Sequence, residues 1–269
     1  MKNTARISPI SNIAHAATKP EIASLFGLAI VHAWIYAFNT SNEATCPWQY
    51  VYLAIAATML ALAALSRKRA TFSTSKTACG IASAFGVAAP LLAFVAHTNS
   101  LGALPLICGG VFVGWAYSIW GIAYSRFTMP QAIFLLFVSG IIAAILKTAF
   151  FFIPEPITQL LLALLAPIAL LVGASACAIS QSSPRGALRF AKKDVKSLWK
   201  VAAIVLVFSV VNANLLANEQ IHPAAMTIGA FLVARTAEII LCACILAWTF
   251  LSKKPFNFVQ LWRIILVLL

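Results

Sequence analysis

Three basic side chains, Lys147, Arg235 and Arg263, stand inside apolar runs of this 269-residue chain. An ionisable group surrounded by hydrocarbon costs at least about 3 kcal/mol, so each of the three is a functional candidate that needs a partner. Arg235 has one close by in the sequence: Glu238 lies three residues on, which on a helix puts the two on one face. Two readings follow. The pair faces a cavity, where it binds a polar or anionic ligand or switches as Glu238 titrates; alternatively it satisfies itself and anchors a bundle. Lys147 falls near the end of its apolar run, within reach of an interface to which a long side chain can snorkel. His32, beside Trp34 and Tyr36, could join a proton relay or a ligand pocket, or make one interhelical hydrogen bond and nothing more. Asn212 and Asn214 are expected to act as polar glue between helices.

Other chemistries find little support. There is no phosphate loop, no H-E-x-x-H and no G-x-S-x-G. The six acidic residues include Glu43, Glu155 and Glu219 in connecting loops, which leaves few candidates for paired-carboxylate catalysis. No enzyme and no cofactor are therefore expected. Five of the six cysteines fall in apolar segments, where Cys acts as a small hydrophobe. Cys242 and Cys244 would project about 200° apart around a helix, a poor chelating geometry. No metal site is expected.

The elements that must position these residues are apolar helices. Hydrophobic residues make up 62% of the chain and charged ones 9%, and the mean hydropathy is +0.95. A soluble fold of this length could not hide so much apolar surface, which leaves lipid as the solvent. The net charge of +13 would suit nucleic acid only if it were gathered on one soluble face. Instead Lys and Arg lie in short stretches between apolar runs, so no nucleic-acid binding by this chain is expected. Backbone groups without water must bond within their own segment, so a span is a helix of about 20 apolar residues. Eight segments qualify: Ser24–Asn39, Trp48–Ser66, Thr77–His97, Leu101–Tyr124, Pro130–Phe152, Pro156–Ser180, Trp199–Asn218 and Pro223–Leu251. A ninth, Phe256–Leu269, is too short to span comfortably, which suggests a longer parent architecture.

Positive charge is retained on the cytoplasmic side of short loops. Lys2, Arg6 and Lys19, then Arg67 to Lys76, Arg126, Arg185 to Lys200, and Lys253 with Lys254 mark every second connection, while the loops around Glu43, Asn99, Glu155 and Glu219 hold no Lys or Arg. This alternation implies a cytoplasmic amino terminus. The organisation expected is a cytoplasmic tail (1–23), a first six-helix bundle (24–180), a basic linker (181–198) and an incomplete second bundle (199–269). Within the linker, Ala187, Leu188, Ala191, Val195 and Leu198 recur at helical spacing among Arg189, Lys192, Lys193 and Lys196. It reads either as an amphipathic helix on the inner membrane face, with anionic lipid headgroups as partner near Arg185 to Lys200, or as a solvated linker.

Segment four opens with Gly109, Gly110 and Gly114, a G-x-x-x-G pair that permits close helix approach. It continues through Trp115, Tyr117, Trp120 and Tyr124; Trp115 and Trp120 lie deep enough to line a ligand cavity. Pro90, Pro105 and Pro167 would kink or break segments three, four and six. The stretch Trp120-Gly121-Ile122-Ala123-Tyr124-Ser125 resembles the W-G-x-x-Y segment of membrane-embedded LuxR-type regulators, and aromatic segment one and the basic loop after segment six are similar too. That resemblance implies a major-facilitator-like bundle in a bacterial cytoplasmic membrane, preceding a helix-turn-helix domain that these residues do not include. The loop from Ser66 to Lys76 departs from the G-x-x-x-D-R-x-G-R pattern of many major facilitator transporters. The expectation is an all-α polytopic bundle of eight complete spans and a partial ninth, acting as a sensor or regulatory domain for a small ligand. A secondary transporter, or a truncated chain without activity of its own, are the alternatives. Arg235, Glu238, His32, Trp120, Trp115 and Lys147 are the site candidates.

Overall fold

The computed structural model describes residues 24–40, 49–66, 72–96, 103–125, 127, 129–181 and 228–251. These residues hold no strand; they form seven α-helices and two short 3-10 turns. The helices are α1 (Leu28–Thr40), α2 (Gln49–Ser66), α3 (Lys76–Ala96), α4 (Leu104–Tyr124), α5 (Met129–Phe151), α6 (Glu155–Gln181) and α7 (Ile228–Leu251). The 3-10 turns Ser24–Phe26 and Phe72–Thr74 precede α1 and α3. Each helix falls on one of the apolar segments. Segment seven, segment nine, the amino-terminal tail and the basic linker beyond Gln181 lie outside the described residues.

Five of the helices, α3 to α7, are long and apolar enough to cross a membrane, while α1 and α2 are apolar but shorter. The 21 residues of α4 rise about 31 Å, the thickness of a bilayer's hydrocarbon core. Large apolar side chains such as Leu53, Leu60, Phe94, Leu160, Leu171 and Val233 stand exposed around the bundle, a surface suited to lipid rather than water.

The termini of the helices have local causes. Ser75 caps α3: its hydroxyl accepts from the Ala78 N–H at 3.3 Å and donates to the Phe72 carbonyl at 2.9 Å, filling backbone valences that the helix leaves open. Pro90 and Pro167 lie inside α3 and α6. Pro105 corrects the expectation of a kink, because it stands in the first turn of α4. There its missing N–H is no loss and its fixed φ favours helix initiation.

Helix α4 is the centre of the bundle, touched by α1, α2, α3 and α6. Trp34 of α1 meets Phe112 of α4 at 4.6 Å and stacks on Phe38 at 4.8 Å, and its indole N–H donates to the Leu162 carbonyl of α6 at 2.8 Å. The G-x-x-x-G pair does face a neighbour. A Cβ on Gly110 would stand 2.6 Å from the Val51 carbonyl oxygen, and one on Gly114 2.9 Å from that of Ile55, so α2 and α4 are in backbone contact.

Contacts along each pair of helices fix their directions. Tyr124 reaches Leu25 and Tyr117 reaches His32, so α4 runs antiparallel to α1. Ser139 lies by Phe26 and Lys147 by Tyr36, so α5 runs parallel to α1. Val172 lies by Gly27 and Leu162 by Trp34, so α6 runs antiparallel to it. Helix α7 packs mainly on α5, with Phe231 on Phe151 and Glu238 at Lys147, and is therefore antiparallel to α5.

Candidate ligand-binding site

The polar centre of the bundle forms where α5 and α7 meet the aromatic face of α1. Arg235 and Glu238 project from one side of α7 and are paired, as their spacing predicts. The structure adds a third member. Lys147 of α5 donates to Glu238 Oε1 at 2.8 Å, while Arg235 Nη1 donates to Oε2. Each carboxylate oxygen thus serves one cation. The Lys147 side chain is 15% exposed and Glu238 28%, so the group is largely withdrawn from its surroundings. The snorkelling expected of Lys147 is replaced by an ion pair with the carboxylate on the neighbouring helix, an attraction strengthened by the low dielectric.

Aromatic rings enclose this triad. Arg235 lies 5.1 Å from the centroid of Tyr36 and 5.6 Å from that of Phe231, and Lys147 lies 5.8 Å from Tyr36; cations at these distances are attracted by the ring quadrupole. Phe151 and Phe231 stack at 4.0 Å with 11° between their planes. Because α5 and α7 are antiparallel, each brings a cation and a phenylalanine one turn apart to the same seam: Lys147 with Phe151, and Arg235 with Phe231. One N–H of the guanidinium, Nε, is buried without a hydrogen-bond partner.

His32 stands one turn before Tyr36 on the same face of α1. It lies within electrostatic reach of Lys147 and Glu238, and its Nδ1 is 3.3 Å from the Tyr117 hydroxyl of α4. Asn39 follows Tyr36 by three residues on that side, and its Oδ1 is buried and unpartnered. The structure therefore brings His32, Lys147, Arg235 and Glu238 together from three helices, and adds Tyr36, Tyr117 and Phe231.

Trp120 and Trp115 are placed elsewhere. Trp120 is 2% exposed in the core cluster, its ring set between Gly27 and Gly173, where a Cβ would come within 2.9 Å and 3.4 Å of it. Its indole N–H has no partner. Trp115 is partly buried against the core and lies 6.1 Å from Phe72, about 200° around α4 from Tyr117. Neither touches the ion triad. Tyr124, next to Trp120, donates to the Leu25 carbonyl at 2.9 Å and lies 3.3 Å from the Ser139 hydroxyl, so it fastens the turn before α1. Among the described residues no group of His, Cys, Asp and Glu could hold a metal ion.

Sequence reasoning missed Phe231 and Phe151. The spacing of Phe231 to Arg235, four residues on one face, could have drawn attention to the first; nothing in the sequence pairs Phe151 with it. Comparison with protein-family profiles, curated proteins and solved structures found no match.

Proposed function

We propose that this chain is a membrane-embedded sensor or regulatory domain that binds a small ligand between its helices, at the site formed by Lys147, Arg235, Glu238, Tyr36 and His32. One observation carries this reading: a group of two cations and one carboxylate, drawn from two helices, faces the polar stripe of a third inside an apolar bundle. An anchor between α5 and α7 would need one cation and one carboxylate. The additional cation, the unpartnered guanidinium N–H and the convergence of His32 and Tyr117 exceed that need and suit a ligand.

The wider architecture proposed is a major-facilitator-like bundle of eight spans and a partial ninth in a bacterial cytoplasmic membrane, with the amino terminus inside and anionic lipid headgroups near Arg185 to Lys200. Alternation of direction among α1, α4, α5 and α6 supports it. So does the common direction of α6 and α7, the relation that one intervening span would give.

A thermal-stability screen of neutral, anionic and cationic small molecules on the purified chain in detergent tests the binding reading. Arg235→Ala is expected to abolish the response to whichever class stabilises the wild type. If no compound distinguishes wild type from variant, the site reading falls. A sensor binds the ligand without moving it, so accumulation of the labelled compound in proteoliposomes under an ion gradient would reassign the chain as a transporter.

A further inference from the structure

We infer that the ligand of this site is a monoanionic carboxylate, held between Lys147 and Arg235 beside Glu238; the inference rests on the binding-site reading above and specifies its chemistry. The first argument is charge. Lys147 and Arg235 bring two positive charges and Glu238 one negative, and the sequence places no other acidic residue within any of its apolar segments. Among the described residues the site carries one uncompensated cation where the dielectric is low, and such a charge is retained only against a counter-charge. One negative charge closes the balance, whereas a dianion overshoots it by one.

The second argument is geometry. Glu238 shows how a carboxylate is received here, with one oxygen on the lysine ammonium and the other on the guanidinium. Donors remain for a second carboxylate. Only one of the three ammonium N–H groups of Lys147 is committed to Glu238, and Arg235 Nε–H is buried and unpartnered. A planar carboxylate matches an edge of the guanidinium with two acceptor oxygens, which a halide cannot do. The rings of Tyr36 and Phe231 flank the guanidinium. They exclude water from the bond and offer apolar surface to the body of a small acid.

The test uses the full chain in detergent and four probes at matched ionic strength: acetate, its neutral isostere acetamide, chloride and sulfate. Acetate is expected to raise the unfolding midpoint in a saturable way, with the other three at least about tenfold weaker. Lys147→Gln and Arg235→Gln each remove the surplus charge and should each abolish the acetate response; one serves if the other fails to fold. Glu238→Gln should do the reverse. It leaves two uncompensated cations, so preference should pass from acetate to the dianion sulfate by about tenfold. Acetate acting no better than acetamide or chloride, or acting equally on Lys147→Gln and wild type, overturns the inference. If a neutral or cationic compound binds in an Arg235-dependent way instead, the binding site stands and only its carboxylate chemistry is lost. If no probe of any class depends on Arg235 or Lys147, both readings fall.

Discussion

Gly110→Ala and Gly121→Ala make the same chemical change in one helix, and the structure assigns them opposite outcomes. At Gly110 the new methyl would stand 2.6 Å from the Val51 carbonyl oxygen and 2.7 Å from Ala54 Cβ. The first of these is backbone and cannot rotate away, so α2 must retreat from α4 along a seam that Gly114 also shares. Overpacking of this kind costs about 1–3 kcal/mol. At Gly121 nothing lies within 4 Å of the added methyl. What remains there is the gain from replacing glycine in a helix, about 0.5–1 kcal/mol. That gain is common to both variants and cancels in the comparison, so Gly110→Ala should be less stable than Gly121→Ala by about 1–3 kcal/mol. Unfolding of the chain by sodium dodecyl sulfate, followed through tryptophan fluorescence, measures the difference. Equal stability of the two variants would mean that α2 and α4 are not in backbone contact.

Replacing Glu238 by Gln should destabilise the chain more than replacing Glu238 and Lys147 together, because the single change leaves both cations without a counter-charge. A double-mutant cycle in the same unfolding assay should give a coupling of about 1–3 kcal/mol; zero coupling would contradict the 2.8 Å pair. Trp34→Phe keeps most of the packing but deletes the hydrogen bond to Leu162, with an expected loss of about 0.5–1.5 kcal/mol. Trp120→Ala empties a buried site between two glycines and should lose about 3–5 kcal/mol; acetate affinity per folded molecule should stay unchanged, since Trp120 does not touch the triad. Single cysteines placed in the 67–71 connection should react with an impermeant thiol reagent only from the cytoplasmic side of oriented vesicles, and one at Glu43 only from the other. The reverse pattern would overturn the assigned orientation.

Much of the architecture can be read along the chain because lipid leaves the backbone one solution. Without water every N–H and C=O must bond within its own segment, so a run such as Leu104–Tyr124 declares a helix by length and apolarity alone. The Arg235–Glu238 pair is equally local, since three residues on a helix bring two side chains to one face. Basic connections alternating with neutral ones yield the same up-and-down order that the contacts of α1 with α4, α5 and α6 display.

Partnerships between helices are a different matter. In a soluble bundle an apolar stripe marks the face turned inward. Here the lipid-facing side is as apolar as the packed side, so periodicity does not say which neighbour a face will meet. Lys147 therefore looked like a snorkelling residue until α7 placed Glu238, 91 residues further on, beside it. Trp120 looked like a cavity wall until Gly27, in the turn before α1, and Gly173 of α6 closed around its ring. Sequence alone determined that this chain forms apolar helices and which charges are embedded in them. The tertiary structure decided which helices touch, because small residues at particular positions admit some close approaches and exclude others, and only that packing brought Lys147 and Tyr36 to the Arg235–Glu238 pair to make one site.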